Sequence, residues 1–194
     1  MSGIIRAGVG ILFMKVGTHA QETLADIIER KSKEIRETGY AMWGYGGNTC
    51  HPRTMVQPFA EACASRHEPI YLCMHEMNSR HFAEPLRANE FSVDGSKWDR
   101  IPDTINVKGS RFALVLEDLN QEELMLPLAE AQVAIGLSRG RPANRYIQGQ
   151  VDKACLEVLG SRHPNVAPDE QREIQINLVA KLKSPYAVFL RDHR

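Results

Sequence analysis

The sequence has no surplus of charge of either sign. It contains 24 Lys and Arg residues against 24 Asp and Glu residues, so its formal net charge is zero. Binding to duplex nucleic acid without sequence preference draws its affinity from an excess of Lys and Arg facing the phosphates. The balanced composition therefore weighs against that class of protein, although basic residues can still collect on a local patch.

Long apolar runs are also missing. The longest spans residues 8–14, far fewer than the roughly 20 residues that cross a bilayer as a helix. The first residues show no charged segment followed by an apolar stretch and a cleavage site, so we expect no signal peptide. We therefore expect a cytoplasmic protein that does not interact with membranes.

Cysteine is scarce and shows no CxxC spacing. The four thiols are Cys50, Cys63, Cys73 and Cys155. A cytoplasmic location would keep them reduced. The residues that could bind a metal form two clusters far apart in sequence, and neither cluster has zinc-finger spacing. Their members are Cys50, His51, Cys73, His75, Glu76 and His81. We therefore expect no metal ion and no other cofactor.

Established nucleotide-binding motifs are absent as well. The glycines of GYGG, residues 44–47, are not followed by the Gly-Lys-Ser/Thr ending of a Walker motif. They lack the G-x-G-x-x-G spacing of a dinucleotide fingerprint, and a helix and loop precede them rather than a strand. Internal repeats and low-complexity tracts are not found. No motif in the sequence therefore specifies a reaction.

The patterns that are present predict a single α+β domain. A chain of 194 residues that is 43% apolar and 25% charged can form one core without staples. Gly10 lies inside the first predicted strand, which indicates close approach by another backbone or by a ligand. Strands of a mixed or mainly antiparallel sheet are predicted at residues 9–16, 70–74, 111–117 and 173–183, with residues 186–190 as the partner of the last.

Three helices are predicted around this sheet. The first has the spacing of a capping box at Thr18 and Gln21, then shows apolar residues at helical spacing, and ends at Gly39. The second covers residues 58–65, where proline suits the first turn. The third covers residues 142–159, again beginning at a proline.

Residues 42–52, MWGYGGNTCHP, form the most informative stretch, and we expect a loop that faces a ligand. Aromatic rings stack on bases in sites for nucleotides and single-stranded nucleic acid. Glycines let backbone amides approach a ligand, while amide and imidazole groups bind polar edges. The alternative is a tight turn with Trp43 in the core. The predicted contacts are Trp43, Tyr45, Gly46, Gly47, Asn48 and His51.

Residues 138–145, SRGRPANR, supply a complementary chemistry. The first turn of a helix beginning at Pro142 would offer unpaired amides and a partial positive charge that attract anions. Arginines there oppose the dipole unless an anion compensates, and arginine binds phosphate through two hydrogen bonds. The alternative is that the arginines face solvent or pair with acids such as Glu130 or Asp152. The predicted phosphate contacts are Ser138, Arg139, Arg141 and Arg145.

The opening of the chain resembles PUA-like domains of the ASCH or EVE type. The resemblance rests on ILFMKVG, residues 11–17, followed by a capped helix, an aromatic-rich loop and the strand at residues 70–74. Domains of this type bind modified bases or RNA in a cleft beside their first helix, so the resemblance implies a ligand of that kind. The helix predicted at residues 142–159 is additional to their pattern.

Together these observations predict binding of a nucleotide-type ligand: a nucleotide, an oligonucleotide or a modified base in single-stranded nucleic acid. One alternative is an enzyme that cleaves a phosphodiester or glycosidic bond of such a ligand. Its candidate groups are Cys50 with His75 as nucleophile and base, or His51 with Glu76 or His81 as acid and base. Another alternative is an interaction protein that blocks a partner protein. Assembly into a homo-oligomer stays open.

Overall fold

The computed structural model describes residues 3–17, 22–46, 49–77, 86–148 and 151–192, which form ten strands and three helices. The helices are α1 Leu24–Thr38, α2 Gln57–Ser65 and α3 Ala143–Tyr146, and a π-helical turn, Pro52–Val56, leads into α2. The strands are β1 Gly10–Gly17, β2 Ala41–Tyr45, β3 Ile70–Met77, β4 Glu90–Ser92, β5 Asp99–Arg100, β6 Phe112–Leu116, β7 Asn120–Pro127, β8 Ala131–Val133, β9 Lys153–Val158 and β10 Glu173–Arg191. The predicted α+β class with a mixed sheet is confirmed, and the protein is richer in strand than the sequence patterns indicated.

The sheet follows the order β2-β6-β10-β3-β1-β9-β8, with β1 and β3 parallel. The first half of β10 lies between β3 and β7, and its second half lies between β6 and β4. The strand runs from Glu173 to Arg191, so the prediction that residues 186–190 form a separate partner strand is wrong. Those residues pair with β6 and β4 instead of folding back on the first half.

Helix α1 covers one end of this sheet and begins and ends at well-defined caps. Asp26 N donates to the Thr23 hydroxyl, and Thr23 N donates to the Asp26 carboxylate, which completes a capping box. Gly39, with φ 84°, donates to the carbonyl of Ile35 and ends the helix. The helix and its end are therefore as predicted, but its start is not, because the cap is Thr23 rather than Thr18. Thr18 and Gln21 themselves lie outside the described residues.

The prediction of a long third helix is wrong. Helix α3 contains only 4 residues, and Lys153–Val158 is strand β9, which pairs antiparallel with β1 and β8. Ala154, Cys155 and Leu156 are buried in succession, as expected for a strand that is covered on both faces. The apolar residues fit helical spacing too, but hydrogen bonding to β1 and β8 outweighs that local pattern.

The two faces of the sheet carry separate parts of the core. Helices α1 and α2 cover one face, where Leu12, Leu72 and Leu114 are buried. Helix α3 covers part of the opposite face, where Phe13 and Leu156 are buried. Strand β1 contributes to both parts, which explains the consecutive apolar residues 11–14 within it. Among the described residues, none of the helices has the length and apolar character required to cross a bilayer.

Gly10 makes room for α2. A Cβ atom on Gly10 would lie 2.5 Å from the sulfur of Cys63 and 3.1 Å from Cζ of Phe59. The close approach predicted at this glycine is therefore made by helix side chains, and the expectation of a backbone or ligand there is wrong. We expect Gly10→Ala to lower the free energy of unfolding by about 1–3 kcal/mol through overpacking, as measured by urea denaturation.

A double-mutant cycle tests whether overpacking is the cause. Cys63→Ala removes the sulfur that would clash with the new methyl group. Gly10→Ala should therefore lower the free energy of unfolding less in the Cys63→Ala background than in the parent chain. Equal losses of unfolding free energy in the two backgrounds would contradict overpacking against Cys63 as the cause.

Candidate functional site

The aromatic segment that was predicted to be a loop begins as a strand. Strand β2, Ala41–Tyr45, pairs antiparallel with β6. Trp43 is 8% exposed and Tyr45 is 0% exposed, and the Tyr45 hydroxyl donates to the carbonyl of Cys50 at 2.8 Å. The prediction of an irregular loop is therefore wrong for residues 42–45, which belong to a strand. Both rings pack in the core because they face the buried side of the sheet, as the alternative reading expected for Trp43.

The remainder of the segment is partly at the surface. Gly46 is exposed, while Gly47 and Asn48 lie outside the described residues. His51 is half-buried and caps the π-helical turn, since its Nδ1 accepts hydrogen bonds from Arg53 N at 3.2 Å and Thr54 N at 3.4 Å. In the neutral ring, the proton is therefore on Nε2, which can donate to a ligand.

His51 begins a line of side chains that the sequence did not reveal. Its ring meets Phe112 edge-on, with centroids 5.3 Å apart, and Phe112 lies 5.4 Å from Phe189. The guanidinium of Arg53 lies 5.3 Å from the centroid of the Phe189 ring and donates to the Ala187 carbonyl at 3.0 Å. We call His51, Arg53, Phe112 and Phe189 the aromatic row.

Strand pairing places the aromatic row at the margin of the core. Phe112 begins β6 and is paired with Phe189 of β10. Leu114, two residues further along the same face of β6, is 0% exposed, whereas Phe112 and Phe189 are half-buried. The row therefore marks the place where the covered part of this sheet face gives way to solvent. Each residue alone is an ordinary apolar strand residue, so only the pairing of β6 with β10 identifies the row.

A second contact between a cation and an aromatic ring borders the row. Arg191 lies two residues after Phe189 on β10, and its guanidinium is 3.9 Å from the centroid of Trp98. Arg191 also pairs with Glu90 at 2.6 Å. The turn before Trp98 reaches the row itself, because a Cβ atom on Gly95 would be 3.4 Å from the Phe189 ring. Residues 92–98 thus form one wall of this surface.

The arginine segment has a different structure from the one predicted. Pro142 is followed by a helix of only 4 residues, so the long helix that was expected to supply an anion site at its first turn is not formed. Ser138 is half-buried, and Arg139 and Arg141 are exposed in a turn. That turn is held by Gly140 N, which donates to the Val133 carbonyl at 2.8 Å.

Arg145 is also exposed, and it pairs with Glu170 at 3.1 Å. The alternative of pairing with an acid therefore applies to this arginine, although its partner is neither Glu130 nor Asp152. The carboxylate responds to the same contact, since the hydrogen bond from Arg145 lowers the pKa of Glu170.

The flanks of the two predicted segments lie against each other. A Cβ atom on Gly136 would be 2.9 Å from Cε of Met55, and the Thr49 hydroxyl donates to Asp152 at 3.0 Å. Gly136, at the start of the turn that carries the arginines, therefore lies beside Met55 of the π-helical turn. Within the described ranges, no hydrogen bond, ion pair or ring contact joins Trp43 or Tyr45 to the three arginines.

Two open clefts lie apart from the aromatic row. One has a volume of about 450 Å³, and two of its residues, His67 and Tyr186, have positive φ angles of 57° and 65°. Three of its charged residues already form ion pairs. Lys181 pairs with Glu117 at 3.1 Å, and Glu68 pairs with Arg6, which lies outside the cleft. The other has a volume of about 500 Å³ and is lined by Arg30, Lys33, Arg87, Asp103, Thr104 and Asn106.

The candidate metal ligands and nucleophiles are dispersed. In the described part of the chain, no three or more His, Cys, Asp or Glu side chains form a group that could hold a metal ion. Cys50 is buried with its sulfur 3.4 Å from that of Cys155. His75 Nδ1 lies 2.7 Å from the carbonyl of Gln175, and His81 is outside the described residues. The thiol of Cys50 thus contacts another thiol rather than a histidine.

Comparisons with protein-family models, with curated proteins and with solved structures find no match for this chain.

Proposed function

We propose that the chain binds a nucleotide-type ligand on the aromatic row: a nucleotide, an oligonucleotide or a modified base in single-stranded nucleic acid. The observation that carries the proposal is a run of adjacent rings at the open end of a sheet face, with a guanidinium beside it. Phe112 and Phe189 lie 5.4 Å apart, and Arg53 lies 5.3 Å from the Phe189 centroid. Aromatic rings on such faces stack on bases, each stack contributing about 1–3 kcal/mol.

The polar groups of the row suit the other parts of such a ligand. Arg53 donates one hydrogen bond to Ala187, and no carboxylate among the described residues pairs with it. Its remaining N–H groups can bind a phosphate. His51 can donate from Nε2 to a base edge or to the phosphate. The proposed roles are therefore stacking for the two phenylalanines, phosphate binding for Arg53 and polar recognition for His51.

Features beside the row support the same ligand class. Gly136 lies beside Met55, so the turn with Arg139 and Arg141 is next to the π-helical turn. For an oligonucleotide, these exposed arginines would supply further phosphate contacts. The resemblance of the opening residues to PUA-like domains, which bind modified bases or RNA, points in the same direction. Zero net charge fits a ligand held by a few specific contacts rather than by a broad basic surface.

Two variants test the row directly. Phe189→Ala removes a stacking surface and Arg53→Ala removes the phosphate donor, so each is expected to weaken binding about tenfold or more. The probes are a short single-stranded RNA of mixed sequence and a panel of nucleoside mono- and triphosphates. The measurement is isothermal titration calorimetry at low salt, because phosphate contacts weaken as salt rises.

Matched controls separate a lost contact from a damaged fold. Phe91→Ala removes a half-buried ring that packs in the core cluster around Met42 and Val188, and Arg100→Ala removes an exposed arginine paired with Asp103. Both controls should retain the parent affinity, and circular dichroism should show every variant folded. Unchanged affinity in Phe189→Ala and Arg53→Ala would reject the assignment. Chromatography of the recovered ligand distinguishes simple binding from cleavage of a phosphodiester or glycosidic bond.

A further inference from the structure

Two buried thiols meet between segments that are distant in sequence. The sulfur of Cys50 lies 3.4 Å from the sulfur of Cys155, and the two residues are 105 positions apart in the sequence. The two residues are 0% and 1% exposed. A disulfide has a sulfur–sulfur distance of about 2.05 Å, so a small closing movement separates this pair from bonding distance.

The surroundings give the two sulfurs different properties. The hydrogen bond from the Cys155 thiol lowers the pKa of Cys50, with smaller contributions from Tyr45 and from the Lys153 ammonium, while burial acts in the opposite direction. The same hydrogen bond and burial raise the pKa of Cys155. Cys50 is therefore the sulfur that more readily carries the negative charge and acts as the nucleophile.

The other two cysteines lack such a partner sulfur among the hydrogen-bonded pairs of the described residues. Cys73 lies in the core cluster on the opposite face of the sheet, and burial raises its pKa to about 12. Cys63 contacts the guanidinium of Arg66 at 3.7 Å, and burial raises its pKa. These two thiols serve as internal references for reactivity.

We propose that Cys50 and Cys155 form a modification site at which a hydroperoxide generates an intramolecular disulfide. With hydrogen peroxide, the Cys50 thiolate attacks one oxygen, the O–O bond breaks, and the leaving hydroxide takes up a proton to become water. Cys50 is then a sulfenic acid. The Cys155 sulfur attacks the Cys50 sulfur, the S–O bond breaks, and the departing hydroxide leaves with the Cys155 proton as a second water. The two thiols lose two electrons, which reduce the peroxide.

Cys50 is buried but lies between residues that reach the surface, so a local opening of this short segment would let a small oxidant reach it. Thr49, directly before it, is exposed, and His51, directly after it, is half-buried. Cys155 lies within β9, where it is paired with β1, and its carbonyl accepts from Ala134 N at 2.9 Å. We therefore expect the segment that carries Cys50 to make the closing movement while Cys155 stays in the sheet.

Peptide mapping of the wild-type chain tests the proposal. The reduced protein is treated with one equivalent of hydrogen peroxide, alkylated under denaturing conditions and digested without reductant. We expect an intact mass lower by two hydrogen atoms, a linked pair of peptides containing Cys50 and Cys155, and alkylated Cys63 and Cys73. In Cys155→Ala the reaction should stop at the sulfenic acid, which dimedone would label on Cys50. The Cys73→Ala control should still form the disulfide.

Recovery of Cys50 and Cys155 as free, alkylated thiols would overturn the proposal, and so would a link from Cys50 to Cys63. The decisive measurement uses the wild-type chain, so the result does not depend on whether a variant folds. It is also separate from ligand binding, because neither cysteine belongs to the aromatic row.

Discussion

Replacing Glu34 with alanine is expected to lower the free energy of unfolding by about 3–5 kcal/mol. Lys31 and Glu34 are 3% and 0% exposed. Lys31 Nζ lies 3.0 Å and 2.9 Å from the two carboxylate oxygens of Glu34. Without the carboxylate, Lys31 must either keep a buried charge that only carbonyl oxygens compensate or give up its proton, and both outcomes cost free energy. Urea denaturation of the two chains measures the loss.

The pair is costly to break because it joins three parts of the fold. Lys31 also donates to the carbonyls of Met42 at 2.6 Å and Asn106 at 2.9 Å, and Glu34 accepts from Asn106 N at 3.0 Å. The network therefore links α1 to β2 and to the segment that precedes β6. Burial lowers the pKa of Lys31 to about 8, against the opposing effect of Glu34, so the ammonium is still mostly charged at neutral pH.

Two comparisons isolate the effect of the uncompensated charge. The double variant Lys31→Met with Glu34→Leu should recover most of the lost stability, because apolar groups of similar size replace both charges. The exposed pair Lys33–Glu37, 3.8 Å apart, is a matched control, and Glu37→Ala should cost no more than about 1 kcal/mol. Similar losses from Glu34→Ala and Glu37→Ala would show that burial of the pair is not the cause.

Tyr45→Ala is expected to cost about 3–5 kcal/mol of unfolding free energy, as truncation of a buried aromatic ring typically does. Tyr45 is 0% exposed and is the last residue of β2. Tyr45→Phe keeps the ring and removes only the hydroxyl that donates to Cys50, so it should cost less, about 1–3 kcal/mol. Thermal and urea denaturation of both variants give the comparison.

This prediction separates a core residue from a ligand residue at the same position. If the Tyr45 ring served a ligand, Tyr45→Ala would leave stability nearly unchanged and abolish binding of the RNA probe. If it serves the core, stability falls, and Tyr45→Phe retains binding because the aromatic row is intact. A Tyr45→Ala chain as stable as the parent would contradict the core assignment.

The parts of the fold that the sequence predicts well are those whose pattern has a single local solution. Helix α1 has apolar residues at helical spacing and a glycine at its end, and β1 is an apolar run with no helical alternative of adequate length. Residues 153–158 fit both a helix and a strand, and their pairing with β1 decides between them. That pairing joins distant segments, so local periodicity could not supply it.

The candidate site was harder to predict for the same reason. His51 stands out because imidazole is a versatile polar group in a segment rich in glycine. Phe112 and Phe189 resemble any other apolar strand residues until β6 and β10 are paired. Trp43 was misassigned because the same ring chemistry serves a ligand or a core, and only burial distinguishes the two.

Strand β10 also determines when the sheet can be completed during synthesis. Its Ala180 pairs with Leu72 of β3, 108 positions earlier since 180 − 72 = 108. At about 5–20 residues per second, a ribosome needs roughly 5–20 s to make that stretch. During this interval, the edge of β3 that will pair with β10 has no partner strand. The same holds for the corresponding edge of β6 once that strand has been made. Open edges of this kind can pair with other chains, so the incomplete sheet is most prone to aggregation during that delay.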